Sequence, residues 1–305
     1  MTLTLVTEGR GFLGANLAAE LRSRGHEVWT CDLKDGEDSQ HIRADVSSFE
    51  QMSRIYDAHR IDLVYHLAAE YGRWNGEDHY QNLWRTNTIG TKNMLRLQER
   101  HLFRMVFFSS AEVYGDYDGL MTEDVMDRVA IKQMNDYAIT KWAGELQCIN
   151  SALMHGTETV RVRPVNCYGP HEYYSSYRGV IPVFAYRCIR GEPFDVYTGH
   201  KRIFDYVDDT VRTLANIADN FIPGEVYNIG SDEEWAIGIE DLAKMVVEET
   251  AADPSLARLQ PSEAHTTKTK IVDFSKARQD LDHKATIDLE EGLRRYVQWM
   301  RTVYS

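Results

Sequence analysis

The chain has 305 residues, of which 43% are hydrophobic, so it is long enough to bury a large core as one large domain or two fused domains. With 34 Lys and Arg residues against 47 Asp and Glu residues, its formal net charge is -13. This charge disfavours non-specific binding to nucleic acid or to an anionic membrane. An anionic ligand must therefore be bound by a local cluster of positive groups.

The cysteines and the chain start favour a cytoplasmic protein. Cys31, Cys148, Cys167 and Cys188 have neither metal-binding spacing nor the density of a disulfide scaffold, so we expect reduced thiols and no metal site. The first residues lead directly into a predicted strand, without the charged and apolar regions of a signal peptide. No apolar run approaches the ~18 residues that a membrane-spanning helix needs.

Predicted strands alternate with predicted amphipathic helices through the first half of the chain. This order is typical of βαβ units and predicts a parallel sheet covered by helices on both faces, with ligands at the strand ends. The predicted strands are residues 3–6, 27–31, 63–67, 105–108 and 159–162.

Helical periodicity is clearest in residues 137–154, where Trp142, Leu146, Ile149 and Leu153 form one stripe that we expect to be a packed face. After about residue 168 the alternation weakens. Residues 173–177 predict a loop, and residues 239–250 and 289–302 predict helices. We therefore expect a smaller second lobe there.

A glycine-rich turn follows the first predicted strand and precedes a predicted helix. Its glycines allow the backbone to approach a pyrophosphate, and the helix N-terminus offers free N–H groups. Asp32 ends the second strand, where its carboxylate favours NAD over NADP, although Lys34 weakens that preference because it could pair with a 2'-phosphate. Residues 45 and 46 follow a further likely strand, between those at 27–31 and 63–67, and are adenine candidates. The predicted cofactor contacts are Gly9, Gly11, Phe12, Leu13, Gly14, Asp32, Asp45 and Val46.

Tyr137 and Lys141 are spaced so that both side chains lie on one face of a helix and point into one pocket. Such a pair is suited to proton transfer. Because a phenol titrates near ~10 in water, a tyrosine base needs positive charge beside it, here Lys141 and an oxidised nicotinamide ring.

The chain resembles the extended short-chain dehydrogenase/reductases in the order of its glycine turn, Ser110, Tyr137 and Lys141. The branch that it resembles contains the NAD-dependent nucleotide-sugar epimerases, dehydratases and decarboxylases. Residues 163–170, 202–209 and 227–231 match later landmarks of that family. Further matches, on the nicotinamide side, are Leu67, Ala68, Ala69 and Asn87.

This resemblance covers nearly the whole chain and implies an α/β fold, a Rossmann-type doubly wound parallel sheet with a smaller C-terminal substrate-binding lobe. It implies an NAD-binding domain in residues 1–167 and a nucleotide-sugar-binding lobe mainly in residues 168–305, with segments near 203–230 returning to the first domain. It also implies a homodimer that forms through helices near residues 88–100 and 137–154.

One position departs from the family pattern, because Glu8 replaces the first glycine of the turn. A side chain there crowds the turn, and a carboxylate near the pyrophosphate adds repulsion on the order of 1 kcal/mol or more. We expect NAD to bind, but more weakly. The alternative is that Glu8 points outward and has no effect.

In the mechanism that the resemblance implies, Tyr137 takes the proton of the sugar's C4 hydroxyl while C4 gives hydride to NAD. Lys141 holds the nicotinamide ribose and lowers the pKa of the phenol, and Ser110 hydrogen-bonds the same sugar oxygen. Glu112 occupies the position where dehydratases and decarboxylases of the family have Glu. We expect it to abstract the C5 proton if burial raises its pKa toward neutrality, or else to make a structural bond to its loop.

The chemical outcome stays open at this level. Glu112 favours dehydration, decarboxylation or C3/C5 epimerisation, and the alternatives are a simple 4-epimerase or a non-catalytic NAD-binding regulator. On the substrate side, Asn166, Arg178 and Arg202 are expected to contact the diphosphate or the base. Arg73 is expected to meet a sugar carboxylate, or to pair at the surface with a neighbouring glutamate. His66 is expected to be a satisfied core residue.

Overall fold

The computed structural model describes residues 2–262 and 269–304. Its strands, in chain order, are β1 (Leu3–Thr7), β2 (Glu27–Asp32), β3 (His41–Arg43), β4 (Leu63–His66), β5 (Arg104–Phe108), β6 (Leu120–Met121), β7 (Thr159–Pro164), β8 (Cys167–Tyr168), β9 (Phe194–Tyr197), β10 (Lys201–Arg202), β11 (Asp205–Tyr206), β12 (Val226–Ile229), β13 (Ile237–Gly238), β14 (Ala257–Gln260) and β15 (Ile271–Val272).

The α-helices connect these strands, together with short 3-10 turns and one π-helical turn over Arg85–Gly90. They are α1 (Phe12–Ser23), α2 (Phe49–Ala58), α3 (Arg73–Asp78), α4 (Tyr80–Trp84), α5 (Thr91–His101), α6 (Val125–Arg128), α7 (Asp136–His155), α8 (Val180–Arg190), α9 (Val207–Asp219), α10 (Ile239–Thr250), α11 (Ser275–Leu281) and α12 (Leu289–Tyr304). None of these helices is long and apolar enough to cross a membrane.

A seven-stranded sheet in the order β12-β7-β5-β4-β1-β2-β3 forms the centre of the fold, and every neighbouring pair is parallel. The predicted α/β, doubly wound architecture is therefore confirmed. The strand order reverses between β1 and β4, and ligands of such sheets bind at this point, outside the carboxyl ends of the strands. All five predicted strands lie in this sheet.

Two apolar layers cover the sheet because alternate strand residues face opposite sides. Val6 and Tyr65 belong to one layer, which also contains α1 and α9, whereas Leu5 and Val64 belong to the other, which contains α2 and α5. Helices thus cover both faces, and the carboxyl ends of the strands stay open for a ligand.

The chain after β8 builds a smaller region from α8, α10 and α12, which pack on one another beside the β9–β14 pair. Within the same part of the chain, β12 pairs with β7 and α9 packs on α1, so residues 207–229 rejoin the central sheet. The domain division at residue 168 remains a prediction.

Helix α7 carries the Tyr137 and Lys141 pair to the edge of the sheet. Its N-cap is Asn135, whose side chain accepts a hydrogen bond from the Ala138 N–H at 2.8 Å, and it ends at Gly156 in the left-handed conformation. The prediction that its apolar stripe is packed is wrong. Leu146 is 48% exposed and Leu153 is 80% exposed, because the face that meets the sheet is made of small and polar residues instead.

Candidate active site

In the glycine turn between β1 and α1, neighbouring parts of the chain lie too close together for a side chain. A Cβ atom at Gly9 would lie 2.4 Å from the Thr30 Cβ, and one at Gly14 would lie 2.0 Å from the Glu8 carbonyl oxygen. These two glycines therefore shape the turn and do not themselves line a cavity, whereas Gly11 lines the cleft at the start of α1. Such a cradle fits a pyrophosphate.

Glu8 turns its carboxylate into the cleft, so the alternative that it points outward is wrong. Its backbone has φ of 57°, a conformation that glycine adopts more readily. Its Oε2 accepts a hydrogen bond from the Ala69 N–H at 3.1 Å, and a Cβ at Gly11 would lie 2.4 Å from its Oε1. Burial raises the pKa of Glu8 to about 7, although the Ala69 N–H and nearby Arg178 favour the charged form.

One half of the cleft is a cavity of about 200 Å³ at the ends of β1 and β2. Asp32 is held there by the backbone N–H groups of Arg10 and Lys34, which donate to its carboxylate at 3.0 and 3.1 Å. A carboxylate fixed at this point suits the hydroxyls of an adenosine ribose. Other lining residues are Glu8, Gly11, Lys34, Asp45, Val46, Ala68, Ala69 and Arg178.

The other half is a cavity of about 190 Å³ near β5 and α7. It brings Leu67 and Ala69 together with Ser110, Tyr137 and Lys141, whereas Ala68 lines the first half and Glu112 lines a separate cavity. The residues of the two halves suit a dinucleotide. The residues that line it include Glu8, Phe12, Leu13, Leu67, Ala69, Tyr71, Ser110, Tyr137, Lys141, Asn166, Glu172 and Arg178.

Tyr137 and Lys141 lie side by side at this cavity, but the ammonium does not bond the phenol. The Lys141 Nζ donates to the Phe108 carbonyl oxygen at 2.7 Å and lies 5.8 Å from the centre of the Tyr137 ring. Burial raises the pKa of Tyr137 to about 12, and a hydrogen bond with Ser110 only partly offsets this. The expectation that Lys141 lowers the phenol pKa stays a prediction. Burial lowers the pKa of Lys141 itself to about 8.

Glu112 differs from the expectation that burial raises its pKa. Burial does favour the neutral carboxyl, but Lys270, Arg73 and Arg202 together outweigh it and hold the pKa below its usual value. The Lys270 ammonium donates directly to the Glu112 carboxylate, and its side chain is 8% exposed. Glu112 is thus an ionised, cation-paired carboxylate.

Asn87 is buried and lines neither half of the cleft, and its role as a cofactor contact stays a prediction. Its buried amide accepts from the Glu70 N–H at 2.8 Å and donates to the Glu70 carbonyl and the Thr140 hydroxyl, both at 3.0 Å. These bonds fix the loop after β4 against α7. His66 is also buried, and its ring nitrogens meet the hydroxyls of Thr7 and Thr91, as expected of a core histidine.

A third cavity, of about 340 Å³, opens beside the nicotinamide half of the cleft. It is shared between the end of the sheet and the C-terminal region, and all four predicted substrate residues line it. Asn166 has φ of 41° and donates to the Ile203 carbonyl at 2.9 Å. The predicted site residues that line this cavity are Arg73, Glu112, Tyr137, Asn166, Arg178 and Arg202.

Sequence reasoning missed three residues of the site. Lys270 lies 158 positions after Glu112 and belongs to no motif that we recognised, so their contact had no sequence signal. Tyr71 and Glu172 line the nicotinamide half of the cleft. Their nearness to Arg178 is a tertiary contact that has no local sequence signal.

Comparisons with known proteins place the chain in a family. Residues 4–230 match the model of the NAD dependent epimerase/dehydratase family. The UDP-N-acetyl-alpha-D-glucosaminuronate decarboxylase of Bacillus cytotoxicus is 30% identical over 319 residues, which cover 98% of each chain. The UDP-glucose 4-epimerase of Thermotoga maritima, solved with UDP-glucose, has a TM-score of 0.89 at 26% identity, with 100% of each chain covered. MoeE5, solved with UDP-glucuronic acid and NAD, has a TM-score of 0.87 at 27% identity, covering 98% of this chain and 99% of its own.

Proposed function

Because the chain belongs to the NAD-dependent epimerase/dehydratase family, we propose that it removes carbon dioxide from a nucleotide-linked uronic acid through a transient 4-keto sugar. Its cofactor is NAD, and we assign Gly11, Asp32 and Lys141 to its binding. When bound, NAD supplies the oxidation of the sugar's C4 alcohol and its later reversal. The observation that carries the proposal is the group of cations around Glu112.

Tyr137 and Ser110 act on the C4 oxygen. With the positive charge of Lys141 and of an oxidised nicotinamide ring beside it, the Tyr137 phenol would ionise, and the phenolate accepts the proton of the C4 hydroxyl. The Ser110 hydroxyl, which hydrogen-bonds Tyr137, donates to the same oxygen. Both groups line the nicotinamide half of the cleft, and Tyr137 also lines the third cavity. The phenol therefore stands where the two ligands meet.

A 4-keto uronic acid is a β-keto acid, so the bond between C5 and the carboxylate breaks with its electron pair moving toward the C4 oxygen. Carbon dioxide leaves and an enolate remains, whose oxygen the Ser110 and Tyr137 hydroxyls stabilise by donating hydrogen bonds. A proton added at C5 completes the replacement of carboxylate by hydrogen. No base is needed to remove a proton from C5 in this sequence.

The state of Glu112 favours this route over dehydration. Dehydration begins with removal of the C5 proton, and a carboxylate whose pKa is lowered by its pairing with Lys270 is a poor base for that step. Decarboxylation needs no such base. Glu112 is then a residue that positions the sugar in the third cavity.

Arginines at the third cavity provide binding groups for an anionic sugar. Arg73, Arg178 and Arg202 line it together with the acids Glu112, Glu172 and Asp195, and Lys270 pairs with Glu112. We assign Arg73 to the sugar carboxylate, and Asn166 and Arg202 to the nucleotide diphosphate. The relative from Bacillus cytotoxicus, whose name states decarboxylation of a nucleotide-linked uronic sugar, supports the same assignment.

The test is product analysis with the purified full chain, NAD and four substrates: UDP-glucuronic acid, UDP-N-acetylglucosaminuronic acid, UDP-glucose and dTDP-glucose. We expect carbon dioxide and a sugar one carbon shorter from at least one uronic acid, measured by gas release and NMR. Tyr137→Phe should reduce turnover by about 10²- to 10⁴-fold while NAD binding, measured by calorimetry, is retained.

Tyr80→Phe is the matched control, because this phenol is 55% exposed and lines none of the three cavities, and it should keep wild-type turnover. Loss of water from dTDP-glucose would establish a dehydratase instead. A product that differs from UDP-glucose only at C4 would establish a 4-epimerase. Full activity of Tyr137→Phe would refute its role as the base.

We further propose that the enzyme is a cytoplasmic homodimer. The exposed apolar stripe on α7, with Leu146 and Leu153, supports a dimer through this helix because large exposed apolar patches usually mark interfaces. The four thiols form no disulfide, which is consistent with a reducing compartment.

A further inference from the structure

We propose that Arg178 binds the pyrophosphate of NAD and thereby offsets the carboxylate that Glu8 places in the dinucleotide cleft. This differs from the sequence expectation, which gave Arg178 to the nucleotide sugar. The inference rests on the NAD dependence of the family and is independent of decarboxylation.

The first support is position. The pyrophosphate of a dinucleotide joins its adenosine and nicotinamide halves, so a group that binds it must stand where the two halves of the cleft meet. Lys34 lines the adenosine half and Lys141 lines the nicotinamide half, but Arg178 lines both, as Glu8 does. Arg178 is therefore the cation placed at the junction.

The second support is the way in which Arg178 is held. Its guanidinium carbon lies over the Tyr71 ring, 3.7 Å from the ring centre, a contact that does not use its N–H donors. The nearest acid, Glu172, is 3.8 Å from its Nη1, which is too long for a hydrogen bond.

The third support is an unsatisfied donor. The Arg178 Nε–H is buried and has no hydrogen-bond partner among the described residues. A buried donor without a partner is costly, and the combination of Nε–H and Nη–H is the fork that binds a phosphate through two bonds. A pyrophosphate at the junction satisfies this donor.

The fourth support is the charge of Glu8. A carboxylate beside a pyrophosphate repels it, and an arginine between them attracts both. Glu172, which lines the nicotinamide half, adds a second buried acid beside Arg178. Glu8 thus replaces a glycine of the turn, and the Arg178 cation in the cleft compensates for the added negative charge.

The test is calorimetric binding of NAD, ADP-ribose, adenosine and UDP to the full chain freed of bound dinucleotide. We expect Arg178→Met to weaken NAD and ADP-ribose about tenfold or more, while the affinities for adenosine and UDP change less than about twofold. Arg178→Lys keeps the charge without the fork and should give an intermediate loss. It also keeps the test valid if the methionine variant does not fold.

Arg187→Met is the matched control, because Arg187 pairs with Glu192 on the surface of α8 and lines none of the three cavities; it should bind NAD as the wild type does. Arg178→Met is also made in a Glu8→Gly background. A direct phosphate contact predicts that the loss persists there, whereas a loss that disappears would show that Arg178 only neutralises Glu8 and would overturn the proposal.

Two further results would overturn it: unchanged NAD affinity in Arg178→Met, and a loss confined to UDP, which would return Arg178 to the sugar nucleotide. Failure of the proposed function looks different. A protein that binds NAD through Arg178 but releases no carbon dioxide from any uronic acid would contradict decarboxylation alone.

Discussion

Glu8 occupies a backbone conformation that suits glycine, and its carboxylate lies against the cradle where a pyrophosphate is expected. The groups that face it are Asp32, Lys141 and Arg178, and the Ala69 N–H donates to it. Since burial raises its pKa to about 7, its charge changes within the physiological range of pH. A nearby phosphate favours the protonated carboxyl, so cofactor binding and protonation of Glu8 are linked.

We predict that NAD affinity falls as the pH rises through about 7, because Glu8 is protonated below that value and repels the pyrophosphate above it. Calorimetric titrations from about pH 6 to about pH 9 measure this dependence. Glu8→Gln should remove the fall centred near 7.

Lys141 supplies the internal control. Burial lowers its pKa to about 8, so loss of its charge also weakens NAD at higher pH, and that second fall should survive in Glu8→Gln. A wild-type affinity that is flat across the neutral range would contradict the role given to Glu8.

At this scale the sequence predicted those contacts that are local. Tyr137 and Lys141 share a helix face because their spacing dictates it. The ion pair of Glu112 and Lys270 joins distant segments of the chain, and no local sequence pattern predicts such a contact. Asn87 was predicted as a cofactor contact from its segment. The hydrogen bonds between its amide and the backbone of Glu70 had no local sequence signal.

Helix α7 is attached to the sheet by charge as well as by packing. The Glu145 carboxylate accepts two hydrogen bonds from Arg163 on β7, at 2.8 and 2.7 Å, and both side chains are almost fully buried. Arg163 also donates to the Tyr114 hydroxyl and to the Glu123 carbonyl. This network fixes the helix that carries the proposed base.

We predict that Glu145→Ala lowers the free energy of unfolding by about 3–5 kcal/mol, because it leaves the Arg163 guanidinium buried without its counter-ion. Urea unfolding monitored by circular dichroism measures the change. Glu50→Ala is the control, since Glu50 pairs with Arg54 on the surface, with both side chains more than 70% exposed, and should lose less than about 1 kcal/mol. Equal losses in the two variants would show that the buried network does not anchor α7.

Elements were predicted well where one residue pattern has one structural meaning. The five early strands are buried apolar runs between turn residues, and all of them join the sheet. The apolar stripe of α7 has two meanings, since a packed face and an exposed interface show the same periodicity. The strand β12 lies far along the chain, and its return to β7 followed from family resemblance and not from its own residues.

At the scale of the whole molecule, the exposed stripe of α7 is the surface on which a second copy is expected to pack. We predict that the double substitution Leu146→Glu and Leu153→Glu gives a monomer, because it places four charges in a twofold interface. Light scattering coupled to size-exclusion chromatography measures the mass.

Leu259→Glu is the control, because Leu259 is 69% exposed on β14, away from α7, and its variant should stay dimeric. A wild-type chain that elutes with the mass of one copy would contradict the dimer. Loss of the dimer in the control alone would move the interface to the C-terminal region.

Arg178 lines both halves of the dinucleotide cleft and also the third cavity. We therefore expect a ligand in one cavity to affect binding in the next. Such an effect is mutual, because any factor by which NAD raises the affinity for the nucleotide sugar is the factor by which the sugar raises the affinity for NAD. Because the Arg178 guanidinium borders both ligands, we expect the retention of NAD during turnover to depend on the bound substrate as well as on the protein.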